Sequence, residues 1–224
     1  MDLTRRDLLA SCAKAGLLSA GAPFVARREL SLNGAPARTY STRTIDLIND
    51  SLVVDMLGLL TLDWAKQKRW LEHPESFEAT EWAKFKRSGI TVFHPAIEYP
   101  CTEPRVFTKA LFENWARFAQ TNSRHFQTVF SACCLTAARK TGRVALVLGT
   151  QNSSHFEQIS DVEFFYGLGQ RVSQLTYNSR NNIGNGCTEY PDSGLTDFGS
   201  AVVSEMNRVG MAIDVSHAGD HTTL

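Results

Sequence analysis

The sequence predicts an α/β fold of parallel strands with covering helices, a (β/α)8 TIM-barrel-like architecture with about five or six of its units present. Three observations predict it. The run "RVALVLG" at 143–149 has the length and composition of a strand buried on both faces. Phe107, Leu111, Trp115 and Phe118 recur at helical spacing and so share one helix face. The stretch "GLTDFGSAVVSEMNRVG" at 194–210 reads as a helix, and "MAIDVSH" follows at once as a strand, the rhythm of a β/α repeat.

In order along the chain, "TRRDLLASCAKAGLLSAGAPFVA" (4–26) sets Arg5 and Arg6 ahead of a mildly apolar stretch. This is the layout of a twin-arginine-like export signal, and it implies periplasmic localisation. Residues 1–37 are assigned to that signal and its linker, with "APA" at 35–37 as a small-residue cleavage candidate, and 38–224 to the barrel domain. "SLVVDML" (51–57) and "GITVFHP" (89–95) read as strands, the second stopped by Pro95. "VEFFYGLG" (162–169) is a short helix with glycines near its end, and "RVSQLTYN" (171–178) a further strand. In the last helix Thr196 or Asp197 caps the start, Val202, Met206 and Val209 form the buried stripe, and Gly210 stops it. Trp64, Trp70 and Trp82 fall in helical stretches and suit packing, whereas His73 and His125 sit among polar residues and read as surface.

Composition excludes several functions. Hydrophobic residues make up 43% of the 224, and 23 basic residues balance 23 acidic ones, so no net field steers nucleic acid. No apolar run is long enough to cross a membrane. Of the five cysteines, Cys133 and Cys134 are adjacent, and C-x-x-C spacing is absent, so a zinc knuckle is not indicated.

Active sites of parallel β/α folds lie beyond the carboxyl ends of the strands. His94, Gln151, Tyr177 and His217 all fall at or just after such ends, and Asn178 opens the loop "NSRNNIGNGC" (178–187), whose Asn and Gly residues suit tight turns or backbone approach to a ligand. His94, Glu98, His155 and His217, with Asp63, form the set from which a rewired single-metal site would be drawn. His221 would share a face with His217 only in a helix, which the preceding strand argues against.

"GLTDFGSAVVSEMNRVGMAIDVSH" (194–217) resembles the membrane (renal) dipeptidase family, peptidase M19, over 24 contiguous residues. Weaker similarity extends upstream through "GQRVSQLTYNSRN", "GRVALVLGTQN" and "SLVVDMLG", back to about residue 45. The resemblance implies a (β/α)8 barrel with two zinc ions at its mouth, hydrolysing dipeptides by metal-bound hydroxide. It places a zinc-binding histidine at His217. It places the family's H-x-D pair on Leu57 and Leu59, with Asp55 keeping only the aspartate before the pair. The bridging glutamate falls at Gln151, and the substrate-contacting histidine of L-T-H-N at Tyr177. The second later zinc histidine, with an arginine and an aspartate beyond it, would fall after Leu224, so the chain reads as a degenerate, C-terminally truncated member. Zinc is the cofactor the family implies, but one retained ligand does not make a site.

Three readings follow. The first is a zinc metallodipeptidase whose activity the lost ligands undercut. The second is a non-catalytic periplasmic protein that binds a peptide, or matures a peptide siderophore as some exported relatives do. The third is a polypeptide with no independent fold. An open parallel edge is expected to favour self-association.

Overall fold

The computed structural model describes residues 28–30, 38–96 and 102–224. The expected export segment with Arg5 and Arg6, together with Glu98 and Cys101, lies outside them. The chain divides into two compact units between Asp50 and Ser51. In the first, Arg28–Leu30 (β1) pairs antiparallel with Arg38–Tyr40 (β2), and Thr42–Asp50 (α1) follows. The Ser41 hydroxyl accepts from the Thr44 N–H at the start of α1.

The second unit carries the parallel architecture. Val54–Asp55 (β3), Val92–Phe93 (β4), Phe126–Thr128 (β5) and Val144–Leu146 (β6) form a parallel sheet in the order β3-β4-β6-β5. Leu148–Thr150 (β7), Gln170–Gln174 (β8) and Ala212–Asp214 (β9) form another, also parallel. Only Val147 separates β6 from β7, and its N–H donates to Phe93 O at 2.9 Å, so the two are halves of one stretch. β3, β4, β6 with β7, β8 and β9 thus succeed one another as a barrel-like wall of five parallel units among the described residues.

The helices are Trp64–Glu72 (α2), Ala79–Ser88 (α3), Pro104–Thr121 (α4), Ala132–Thr141 (α5), Ser160–Gly167 (α6), Asp197–Val209 (α7) and Asp220–Thr223 (α8). Alternation along the strands gives the wall two faces. Phe93, Val144, Leu146 and Leu148 join one core with Phe85 of α3, Phe112, Trp115 and Phe118 of α4, Phe165 of α6, and Val202 and Met206 of α7. Val92 and Ala145 sit instead with Val129 and with Ala138 of α5. The strand order explains this. Every other connection advances along the wall, but β5 to β6 runs backward. A right-handed crossover that reverses direction places its helix on the opposite face.

The sequence missed β5 and α5, and β3 is shorter than the expected 51–57. β8 starts at Gln170 and ends at Gln174, before Tyr177. α7 follows expectation closely: Thr196 Oγ1 accepts from the Gly199 N–H at 2.9 Å, Val202 and Met206 are fully buried, and Gly210 ends the helix at φ +82°. His125 is half-buried rather than a surface residue, its ring 4.4 Å from that of Trp82. No described helix is long and apolar enough to cross a membrane.

Candidate functional site

The mouth is built where the strands end. Val92, Val147 and Gly149 share one wall face by alternation, and His94, two residues past Val92, joins them. The His94 ring is buried, and its Nδ1 lies 2.7 Å from Val147 O, so Nδ1–H donates to that carbonyl. Burial holds its pKa below the ordinary histidine value, against the opposing pull of the Val147 carbonyl and of the Asp214 carboxylate. Gly149 makes room for it: a Cβ there would lie 2.2 Å from His94 Cε1 and 2.6 Å from Val172 O.

Across the wall, β8 and β9 pair Gln174 with Asp214. Gln174 is buried, and its Nε2 donates to Thr176 O at 2.7 Å. Asp214 Oδ1 accepts from the Ser216 N–H at 2.8 Å.

Beyond these strands the chain turns sharply twice. Asn178 and His217 adopt φ of +55° and +60°, the left-handed region that non-glycine residues seldom occupy. The rings of Tyr177 and His217 stack at 4.4 Å, and His217 Nδ1 donates to Asn178 Oδ1 at 2.8 Å. Gly186 is required beneath them, since a Cβ would fall 2.0 Å from Asn178 O. The Asn-rich loop is therefore stapled from within. Asn181 Oδ1 accepts from the N–H groups of Ile183 and Gly184, and its Nδ2 donates to Asn152 Oδ1 and Leu175 O.

The structure thus brings Tyr177, Asn178 and His217 together and places His94 on the inner face of the wall. Gln151 is half-buried just past β7. Leu57 is exposed just past β3, its N–H donating to Asp55 Oδ1, and Leu59 is half-buried. His155 is no rim residue. It is 1% exposed, edge-on to Phe165 at 4.7 Å, with Nε2 3.1 Å from Gln170 Oε1 and Nδ1 3.2 Å from Asn152 O. Burial brings its pKa to about 4, which leaves a neutral ring. Asp63 is occupied as the cap of α2, accepting from the Lys66 N–H. Among the described residues no three His, Cys, Asp or Glu side chains gather in a way that could hold a metal, so His94, His155, His217 and Asp63 do not assemble as one there. His221 lies on α8, separated from His217 by the turn through Gly219, and its backbone N–H donates to Asp192 Oδ2. Reading the sequence alone did not single out Gln174 or Asp214. The available signal was their strand-end position in "RVSQ" and "AID", two residues past Val172 and Ala212 on the same face.

Residues 42–224 match the sequence profile of the membrane dipeptidase family, peptidase family M19. The chain belongs to this family. It is similar to an uncharacterised dipeptidase of Schizosaccharomyces pombe, 31% identical over 93 residues, which are 39% of this chain and 22% of that protein. It is also similar to dipeptidase 3 of Rattus norvegicus, 36% identical over 87 residues, 36% of this chain and 18% of that one. Among solved structures, an amidohydrolase from Pseudomonas aeruginosa superposes with a TM-score of 0.65 at 29% identity, over 80% of this chain and 50% of its own. A Rhodobacter sphaeroides metallopeptidase, bound to a phosphinate mimic of the dipeptide L-Ala-D-Ala, shares the fold at a TM-score of 0.58 and 16% identity, over 76% of this chain and 60% of its own. The chain therefore spans about half the length of these solved relatives, and its matches cover about a fifth of the curated ones.

The M19 proteins are metallopeptidases, and at the positions the resemblance assigns to metal ligands the residues here do not fit a two-metal centre. Leu57 and Leu59 stand where the resemblance puts a histidine and an aspartate, and hydrocarbon offers a cation no lone pair. Gln151 stands where it puts a bridging carboxylate. Two dications about 3.5 Å apart repel by roughly 20 kcal/mol at an effective dielectric of about 20, which a neutral amide does not offset.

Proposed function

We propose that this M19 chain binds a dipeptide-like ligand at the mouth and does not hydrolyse it by the family's two-zinc route. What carries the reading is that Leu57, Leu59 and Gln151 stand where the resemblance puts a histidine, an aspartate and a glutamate, on a wall whose other mouth features are built. The stacked Tyr177–His217 pair, held by Asn178, supplies a fixed polar and aromatic surface. The dipeptide class comes from the dipeptidase relatives and from the dipeptide mimic bound in the Rhodobacter enzyme. The Arg5–Arg6 pair ahead of an apolar stretch supports export to the periplasm as part of the same reading.

The test is calorimetry and turnover on the full chain, with and without added zinc. Saturable binding of Ala-Ala, no hydrolysis above the blank, and less than one tightly held zinc per chain are the expected results. Two retained zinc ions with turnover, or no peptide binding at all, overturn the reading. In the same assay Leu57→His with Leu59→Asp and Gln151→Glu is expected to raise zinc affinity at least tenfold.

A further inference from the structure

We propose that the inner face of this mouth holds a primary ammonium group, the free amino terminus of a peptide, between His94, Asp214 and Gln174. The inference rests on the peptide-binding reading above and names the ligand group it recognises. Each of the three side chains presents an acceptor. His94 gives its Nδ1–H to Val147 O, which leaves Nε2 as a lone-pair acceptor on a neutral ring. Gln174 turns its amide nitrogen to Thr176 O, which leaves Oε1 to accept. Asp214 takes the Ser216 N–H on Oδ1 and keeps a second carboxylate oxygen. His94 and Gln174 are each 2% exposed, so neither is a side chain merely trailing in solvent.

Three acceptors and one negative charge complement a group that has three N–H donors and one positive charge. The stretches that follow the strand ends, 55–60, 94–96, 151–156, 175–179 and 215–219, contain neither Lys nor Arg. Gly149 is part of the same arrangement, because any side chain there would displace the His94 ring.

The experiment compares Ala-Ala, N-acetyl-Ala-Ala and Ala-Ala amide by calorimetry on the full chain at pH 7.5. Acetylation is expected to weaken binding at least tenfold, and amidation of the far end less than threefold. Asp214→Asn, an isosteric change, is expected to erase most of the preference for the free amine while leaving the affinity for the acetylated peptide within threefold. Equal binding of free and acetylated peptides overturns the ammonium site and leaves peptide binding standing. Binding of neither overturns both. Should Asp214→Asn fail to fold, the comparison on the unaltered chain still decides.

Discussion

Three histidines show how surroundings decide the role of one side-chain type. His217 is exposed, stacked and tethered through Nδ1; His94 is buried with its ring proton committed; His155 is enclosed by Phe156 and Phe165. His155 makes the sharpest prediction. Its folded pKa of about 4 lies below the unfolded value of about 6.5. Protons therefore favour the unfolded chain. The stability this neutral ring contributes is full above about pH 6.5 and is lost as pH falls toward 4, on the order of 3 kcal/mol across that window. His155→Leu should be less stable at pH 7, because Gln170 Oε1 loses its partner, yet should show a flatter decline on acidification. Urea unfolding at pH 7 and pH 5 measures this, and an unchanged slope would refute it.

At the scale of elements, what the sequence disclosed depended on whether local signals agreed. α7 was legible because cap, apolar stripe and terminal glycine all point to the same helix. α5 was not. Only Ala138 is fully buried along it, so no stripe stands out, and the hydroxyl of Ser131 at its cap position lies 3.0 Å from Cys133 Sγ instead of capping a backbone N–H. β3 was overestimated because Leu52, Val54 and Met56 are exposed and only two residues find a partner strand. The site followed the same logic. Strand ends were readable, so His94 and His217 were expected just past them, where the structure has them. Gln174 and Asp214 needed the register between β8 and β9 as well.

The start of α5 also has a chemical consequence. The Phe130 backbone N–H, with help from Ser131 and Gln127, outweighs burial and brings the Cys134 thiol to about 7. Thiolate is the reactive form. At pH 7 iodoacetamide should modify Cys134 several-fold faster than Cys187, with a rate that levels off above about pH 8. Ser131→Ala should slow it. Peptide mapping by mass spectrometry distinguishes the sites, and preferential labelling of Cys187 would contradict the assignment.

For the whole molecule, the reversal at β5 divides the interior into two unequal layers. One face lies under α3, α4, α6 and α7 and contains an aromatic knot in which Phe118 meets Trp70, Phe77, Trp115 and Phe126 at 5.0–6.5 Å. Among the described residues the helix packed on the other is α5, through Ala138 and the partly buried Cys134 and Leu135. Burial stabilises in proportion to the apolar area removed from water, so the second layer holds its helix with far less free energy. α5 should then open locally while the wall stays folded. Hydrogen exchange read by mass spectrometry should find amides of 132–141 much less protected than those of α4 and β6. Phe118→Ala, which leaves a large cavity, should cost about 3–5 kcal/mol and lower protection everywhere. Leu135→Ala should lower it in α5 alone, because α5 packs on the opposite face and its release leaves the aromatic layer intact. If α5 exchanged as slowly as α4, or if Leu135→Ala destabilised the whole unit as much as Phe118→Ala, the two layers would have to be one cooperative core.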